Sequence, residues 1–217
     1  MRAFVSWSGG KDCCLSCFNA QGVEVSCLLN MATTDATTSM THGLSSELLY
    51  LQSECLDMPL IQRATTWHTY EKKFRDAVKE IKRDLGIEAG IFGNIWIEEH
   101  RQWAERICTD LDITLILPLW GLNEQDLLRE LVDSGFKAVV VAAEPQLTDY
   151  LGHAVDGPFI DSVTRMGIDP CGENGEYHTF VTDGPIFRKR IEIFESRKII
   201  KEDHGLLEIT KADAVEK

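Results

Sequence analysis

Two short runs hold most of the residues that could do chemistry. The first, Ser8-Gly9-Gly10-Lys11-Asp12-Cys13, follows at once on the apolar stretch Ala3-Phe4-Val5. A strand ending there, a tight Gly-Gly turn and a helix starting at Asp12 would leave room for an anion to approach the main chain. The helix start adds free N–H groups and the positive end of its dipole, which together suit a phosphate. A hydroxyl, an ammonium, a carboxylate and a thiol stand around the glycines. The spacing is neither G-x-x-x-x-G-K-[ST] nor G-x-G-x-x-G, so the run is neither an ordinary P-loop nor a dinucleotide fingerprint. A bare Gly-Gly is only a turn; the polar neighbours and the place after the first strand point to an anion site. Cys13, at a helix N-terminus, should ionise more easily than a free thiol.

The second run is Cys171-Gly172-Glu173-Asn174-Gly175-Glu176-Tyr177-His178-Thr179. Two carboxylates three residues apart lie in a glycine-framed loop, followed by an imidazole and a hydroxyl. Such a loop can grip an amino group or a hard cation, and His178 can carry a proton. The plain alternative is an acidic turn before a strand. A third candidate is His42, in a polar, threonine-rich stretch over residues 33–42.

Alternating elements must position these runs. Strands are expected over residues 3–5, 23–31, 59–61, 89–95, 114–117 and 138–142. Helices with one apolar face are expected over 12–20, 44–56, 70–85, 98–111 and 124–134. The 23–31 strand reads as unbroken and apolar, as buried parallel strands do. This rhythm predicts an α/β fold with a doubly wound, mostly parallel sheet, Rossmann-like, with ligands at the carboxyl ends of its strands. After residue 143 glycines and prolines punctuate short segments, and 190–195 with 206–209 alternate as a hairpin does. The expected organisation is a nucleotide-binding α/β domain over 1–143 and a small α+β cap over 144–217 that serves the acceptor.

Composition narrows the class. The 217 residues are 44% hydrophobic and carry a formal net charge of −13. That acidity disfavours broad binding to nucleic acid, which needs a basic surface. Arg188-Lys189-Arg190 and Arg197-Lys198 read as solvated strand residues. No apolar run approaches the ~18 residues of a membrane span, and Met1-Arg2 leads straight into a core strand. Seven cysteines in a chain without secretory features suggest a reducing cytoplasm. Cys14 and Cys17 form a C-x-x-C pair without a second pair at metal-like spacing, so they read as packing residues.

Taken together, the runs resemble the diphthine–ammonia ligase family of ATP pyrophosphatases, in the adenine nucleotide alpha hydrolase superfamily. The resemblance extends from residue 5 to about 187. It rests on Ser8 to Asp12, Gly93-Asn94-Ile95, Pro118-Leu119-Trp120-Gly121, Cys171 to Thr179 and Asp183-Gly184-Pro185. It differs at Cys13, where a Ser or Thr is usual, at Asn94, where Asp is frequent, and in Glu-Asn-Gly-Glu-Tyr-His-Thr instead of Glu-Gly-Gly-Glu-Tyr-Glu-Thr.

The resemblance implies an enzyme that adenylates a carboxylate with ATP, releases pyrophosphate and lets ammonia displace AMP. The acceptor would be diphthine on elongation factor two where diphthamide is made. ATP would be held by Ser8, Gly9, Gly10, Lys11, Asp12, Cys13, Met31 and Gly93, with amides of Gly9, Gly10 and Lys11 around the phosphates. Lys11 and Asp12 would be catalytic, and Asp12 would help to hold Mg2+. The acceptor would meet His42, Gly172, Glu173, Gly175, Glu176, His178 and Thr179. The oligomeric state stays open, a homodimer being compatible. Two other readings stay open too: an ATP- or AMP-binding module without turnover, and a tRNA-modifying ATP pyrophosphatase.

Overall fold

A computed structural model describes all 217 residues. Five strands form a parallel sheet in the order β3-β2-β1-β4-β5. They are β1 (Arg2–Ser6), β2 (Glu24–Ala32), β3 (Leu60–Ala64), β4 (Ala89–Ile91) and β5 (Thr114–Ile116). The helices between them are α1 (Lys11–Asn19), α2 (Ser46–Leu56), α3 (Tyr70–Leu85) and α4 (Glu98–Asp110). The side-chain alternation of β1 divides the core. Ala3 and Val5 pack with Cys14, Leu15 and Leu49 of α1 and α2. Phe4 faces the other way, with Phe74 and Val78 of α3 and Ile107 of α4. Helices therefore cover both faces, the doubly wound arrangement expected. The strand order reverses at β1, so the crevice opens between the carboxyl ends of β1 and β4.

A second sheet, antiparallel, has the order β7-β6-β9-β8. It comprises β6 (Lys137–Ala143), β7 (Tyr177–Asp183), β8 (Arg190–Ile200) and β9 (Gly205–Val215), preceded by helix α5 (Glu124–Asp133). The strand expected over 138–142 is therefore present but does not extend the parallel sheet; it pairs with β7 and β9. Its apolar run is explained by burial in the core shared with α1 and α2, and this burial makes a central antiparallel strand read like a parallel one.

The irregular cap also holds a helix, α6 (Gly157–Arg165), capped by the Asp156 carboxylate, which accepts from the Phe159 N–H. Gly157 and Pro158 read as breakers, yet they occupy its first turn, where proline is tolerated. The terminal hairpin is longer than its alternation suggested because much of β8 is exposed and polar on both faces.

Candidate active site

The loop from β1 to α1 is built by local geometry and then tied down from a distance. Gly9 sits at φ +83°, in the left-handed region, with its missing side chain facing Leu49. Its carbonyl accepts from Val181 N–H at 3.0 Å and from Gln52 Nε2 at 3.0 Å. Helix α1 begins at Lys11 with Gly10 as N-cap, so Asp12 lies in the first turn and is not the cap. The Gly10 N–H reaches Ser8 Oγ at 3.4 Å, and the Lys11 N–H donates to Thr179 Oγ1 at 3.0 Å. That leaves the amides of Asp12 and Cys13 as first-turn donors without a backbone acceptor.

At the crevice lies a cavity of about 260 Å³. It is walled by Ser8, Asp12 and Cys13 from this loop, Met31 from β2, Gly93 and Asn94 after β4, His42, and Gly172, Glu173 and His178 from the second run. Gly93 is needed for close approach, since a Cβ there would stand 3.0–3.1 Å from the backbone of Asp12 and Cys13. Gly9, Gly10, Lys11, Gly175, Glu176 and Thr179 do not line this cavity.

Lys11 is nearly fully buried and points away from the cavity. Its Nζ donates to Asp12 Oδ2 at 3.0 Å and to the Cys171 carbonyl, and lies 5.0 Å over the Tyr177 ring. Burial opposes its charge, but the Asp12 carboxylate, with Tyr177 and Cys171 adding to it, outweighs that and holds the ammonium above its usual range. Asp12 is about one-third exposed.

The Cys13 thiol donates to the Gly10 carbonyl at 3.1 Å and accepts from Ser8 Oγ at 3.5 Å. Burial pushes its pKa up, yet hydrogen bonds from Cys14 and Ser8 outweigh it, and the thiol stays below its ordinary value. All seven cysteines are free and buried, and burial raises the Cys14 and Cys17 thiols, as inert packing residues require.

In the second run each acidic side chain has a different fate. Glu173 accepts from the Ile95 N–H and the Trp96 N–H, each at 2.8 Å, so its carboxylate holds the turn after β4. Half-burial raises its pKa against the pull of those two amides. Glu176 takes one bond, from Asn174 Nδ2 at 3.2 Å, and its Oε2 is buried without a partner. His178 meets His42 edge to face, with ring centroids 4.4 Å apart. Ser8 O can only accept, so the 3.2 Å contact to His42 Nδ1 places the proton on that nitrogen. Burial keeps both imidazoles neutral: His42 is well below its usual value, and His178 is lowered to about 4, with Lys11 adding to the effect. The pair also walls a second cavity of about 420 Å³, which Gly175 lines.

Sequence reasoning missed Asn30, Tyr70 and His100, which line the first cavity, and Gln52, which ties down its loop. Asn30 interrupts the 23–31 strand that read as wholly apolar, and a buried amide in such a run was the available signal. It donates to the Trp7 carbonyl at 2.8 Å and to Ser39 Oγ at 3.1 Å. Arg101 pairs with Glu98 and lies over the Trp120 ring, outside the cavity wall. Lys189, Arg190 and Arg197 pair with Glu216, Glu192 and Glu208 on the strand surface. No helix is long and apolar enough to cross a membrane.

A parallel sheet with a glycine-rich strand-to-helix loop at its switch point defines an α/β protein with a crevice at the carboxyl ends of its strands. Family models divide the chain in two: the diphthamide synthase N-terminal domain matches residues 1–115 and its C-terminal domain residues 123–215. The chain belongs to the diphthamide synthase family. Among curated relatives, a diphthine–ammonia ligase of Danio rerio is 28% identical over 100% of this chain and 98% of its own. That of Homo sapiens is 27% identical over 92% and 85%. A solved structure, titled a predicted subunit of a tRNA methyltransferase from Methanocaldococcus jannaschii, covers 85% of this chain and 98% of its own at 16% identity. Its TM-score of 0.44 is too low for that likeness to bear on function.

Proposed function

We propose that this chain is an ATP-dependent ligase that adenylates a carboxylate and amidates it with ammonia. The carboxylate oxygen attacks the alpha phosphate and pyrophosphate leaves; ammonia then attacks the acyl carbon and AMP leaves. The observation that carries the reading is the single cavity into which both glycine-framed runs project, in a chain related along its length to diphthine–ammonia ligases.

In this reading Ser8 and Cys13 meet the phosphates directly, with the first-turn amides of α1, Asp12 faces them through magnesium, and Met31 and Gly93 flank the adenine. Gly9 and Gly10 shape the loop, and Lys11 contributes positive potential from behind it. Developing charge at the alpha phosphate is met by preorganised donors. The acceptor is served by His42, Gly172, Glu173, Gly175, Glu176, His178 and Thr179. The nucleotide thus belongs to residues within 1–143, and the acceptor, His42 apart, to residues within 144–217. If the acceptor is diphthine, its carrier is elongation factor two. Cytoplasmic location agrees with seven free thiols.

No cluster of three His, Cys, Asp or Glu forms a cage for a metal. One cavity-lining carboxylate, that of Asp12, fits magnesium, which takes its remaining ligands from phosphate oxygens and water. When bound, the ion would neutralise phosphate charge.

Calorimetry with ATP and magnesium, followed by assay of pyrophosphate and AMP with ammonium and a carboxylate acceptor, tests the proposal. Glu176→Gln should bind ATP as the wild type does and lose transfer. Loss of ATP binding in that variant would show that the roles are wrongly divided. A second reading, nucleotide binding without turnover, draws on the burial of Lys11 and on Cys13 and Asn94 in the cavity wall. Pyrophosphate release in the presence of the acceptor excludes it.

A further inference from the structure

Gln52 has no exposed surface and lies on the inward side of α2 among Leu48, Leu49, Cys55 and Leu56. A buried amide is costly unless its polar atoms are paired. Trp7 Nε1 donates to Gln52 Oε1 at 2.9 Å. Gln52 Nε2 donates to the Gly9 carbonyl at 3.0 Å and to the Val181 carbonyl at 2.7 Å. Its three partners come from three places. Trp7 lines the nucleotide cavity, Gly9 is the left-handed residue of the loop, and Val181 lies on the strand that leaves the second run.

The Gly9 carbonyl also receives the Val181 N–H, and the Lys11 N–H reaches Thr179 on the same strand. The loop and β7 are thereby joined by four hydrogen bonds, counting the two from Gln52. The Gly9 peptide precedes the N-cap of α1, so its orientation sets where the first-turn amides point.

We propose that Gln52 is a positioning residue that locks the Gly9 peptide against β7, so that a triphosphate on the loop is felt across residues 171–181. The proposal rests on the nucleotide occupying the cavity as described above. Gln52 does not line that cavity and acts through Trp7 and Gly9. A fully paired buried network of this kind holds one arrangement, and its removal frees both segments at once. Leucine at position 52 would fill the space but leave the Trp7 N–H and the Val181 carbonyl without this partner. Glutamate would keep the bond from Trp7 yet set a carboxylate oxygen against two carbonyl oxygens.

The test combines ATP calorimetry with amide hydrogen exchange over residues 171–181, with and without ATP and magnesium. It compares the wild type, Gln52→Leu, Gln52→Glu and a control, Val163→Ala, which loosens the core at α6. In the wild type ATP should slow exchange in β7. Both Gln52 variants should bind ATP about tenfold more weakly or worse, and at saturating ATP the slowing should be gone. Val163→Ala should keep both properties despite a lower Tm.

Wild-type affinity with full slowing in Gln52→Leu overturns the proposal. So do equal losses in Val163→Ala, which would reduce the effect to stability. Should both Gln52 variants fail to fold, Gln52→Met, which keeps the length and packing of glutamine without its amide, takes their place, and full slowing there overturns the proposal too. A wild type that does not bind ATP fails at the first calorimetric step, so failure of the functional reading is told apart. ATP binding without slowing overturns only the coupling.

Discussion

The two glycine-framed runs each send a charged side chain away from their own loop. The first, at the end of β1, sends Lys11 out of the crevice to the Cys171 carbonyl and the Tyr177 ring. The second, before β7, sends Glu173 to the amides of Ile95 and Trp96 beside that crevice. In sequence the two look like independent modules, one for phosphate and one for an acceptor. In the fold the second run is braced by the Lys11 charge of the first, and the turn after β4 by the Glu173 charge of the second. The side chains left facing the cavity from the first run, Ser8, Asp12 and Cys13, are the small ones. A charged residue in a motif need not point at the ligand the motif suggests.

Lys11→Met removes the larger of these two braces. It takes the cation from Asp12 and the donor from the Cys171 carbonyl. Removing one partner of a buried ion pair costs roughly 3–5 kcal/mol, and the partial exposure of Asp12 reduces that to about 2–4 kcal/mol. Urea unfolding measures it. The surface pair of Arg101 with Glu98 supplies the contrast, since Arg101→Met should change the unfolding free energy far less by loss of that exposed pair. Equal effects at the two sites would mean that Lys11 is no strut between the runs.

His178 offers a smaller effect with a defined sign. An unfolded imidazole protonates near pH 6.5, but the folded one, lowered to about 4, stays neutral until far more acid. Its contribution to stability is therefore complete above about pH 6.5 and is lost as pH falls toward 4. The shift corresponds to about 3 kcal/mol. His178→Phe should flatten the decline in unfolding free energy between pH 7 and 4.5, and His42, shifted the same way, should supply what remains. Because the Lys11 charge contributes to the shift, Lys11→Met should also raise the His178 pKa in an NMR titration. No change there would show that the lysine does not act on the acceptor side.

The first run was legible in sequence because its geometry is local. A strand, a turn needing a positive φ at Gly9 and a helix follow within about ten residues, and the β1–α1 order sets the crevice. The alternation of β1 through α4 was legible for the same reason. What the sequence hid depends on partners distant in the chain. Lys11 finds its place only once Cys171 and Tyr177 are beside it, and Gln52 only between Gly9 and Val181. Strand β6 carried the apolar signature of a buried strand, which fixes burial but not direction. Helix α6 was hidden by Gly157 and Pro158, whose usual meaning reverses in a first helical turn.

The smallest effect is at Cys13, and it asks whether the first run still meets phosphate after Lys11 has turned away. Burial raises the other six thiols, and Cys13 alone is shifted down. An alkylating reagent at neutral pH should therefore label Cys13 first, through the cavity that it lines. A thiolate there repels phosphate, and a neutral thiol donates weakly. A serine hydroxyl would donate a bond worth about 0.5–1.5 kcal/mol, so Cys13→Ser should keep the fold and tighten ATP binding by about two- to tenfold. In the wild type, saturating ATP should slow alkylation of Cys13. Equal labelling rates with and without ATP would place the triphosphate elsewhere in the crevice, and would leave the first run as scaffold for the second.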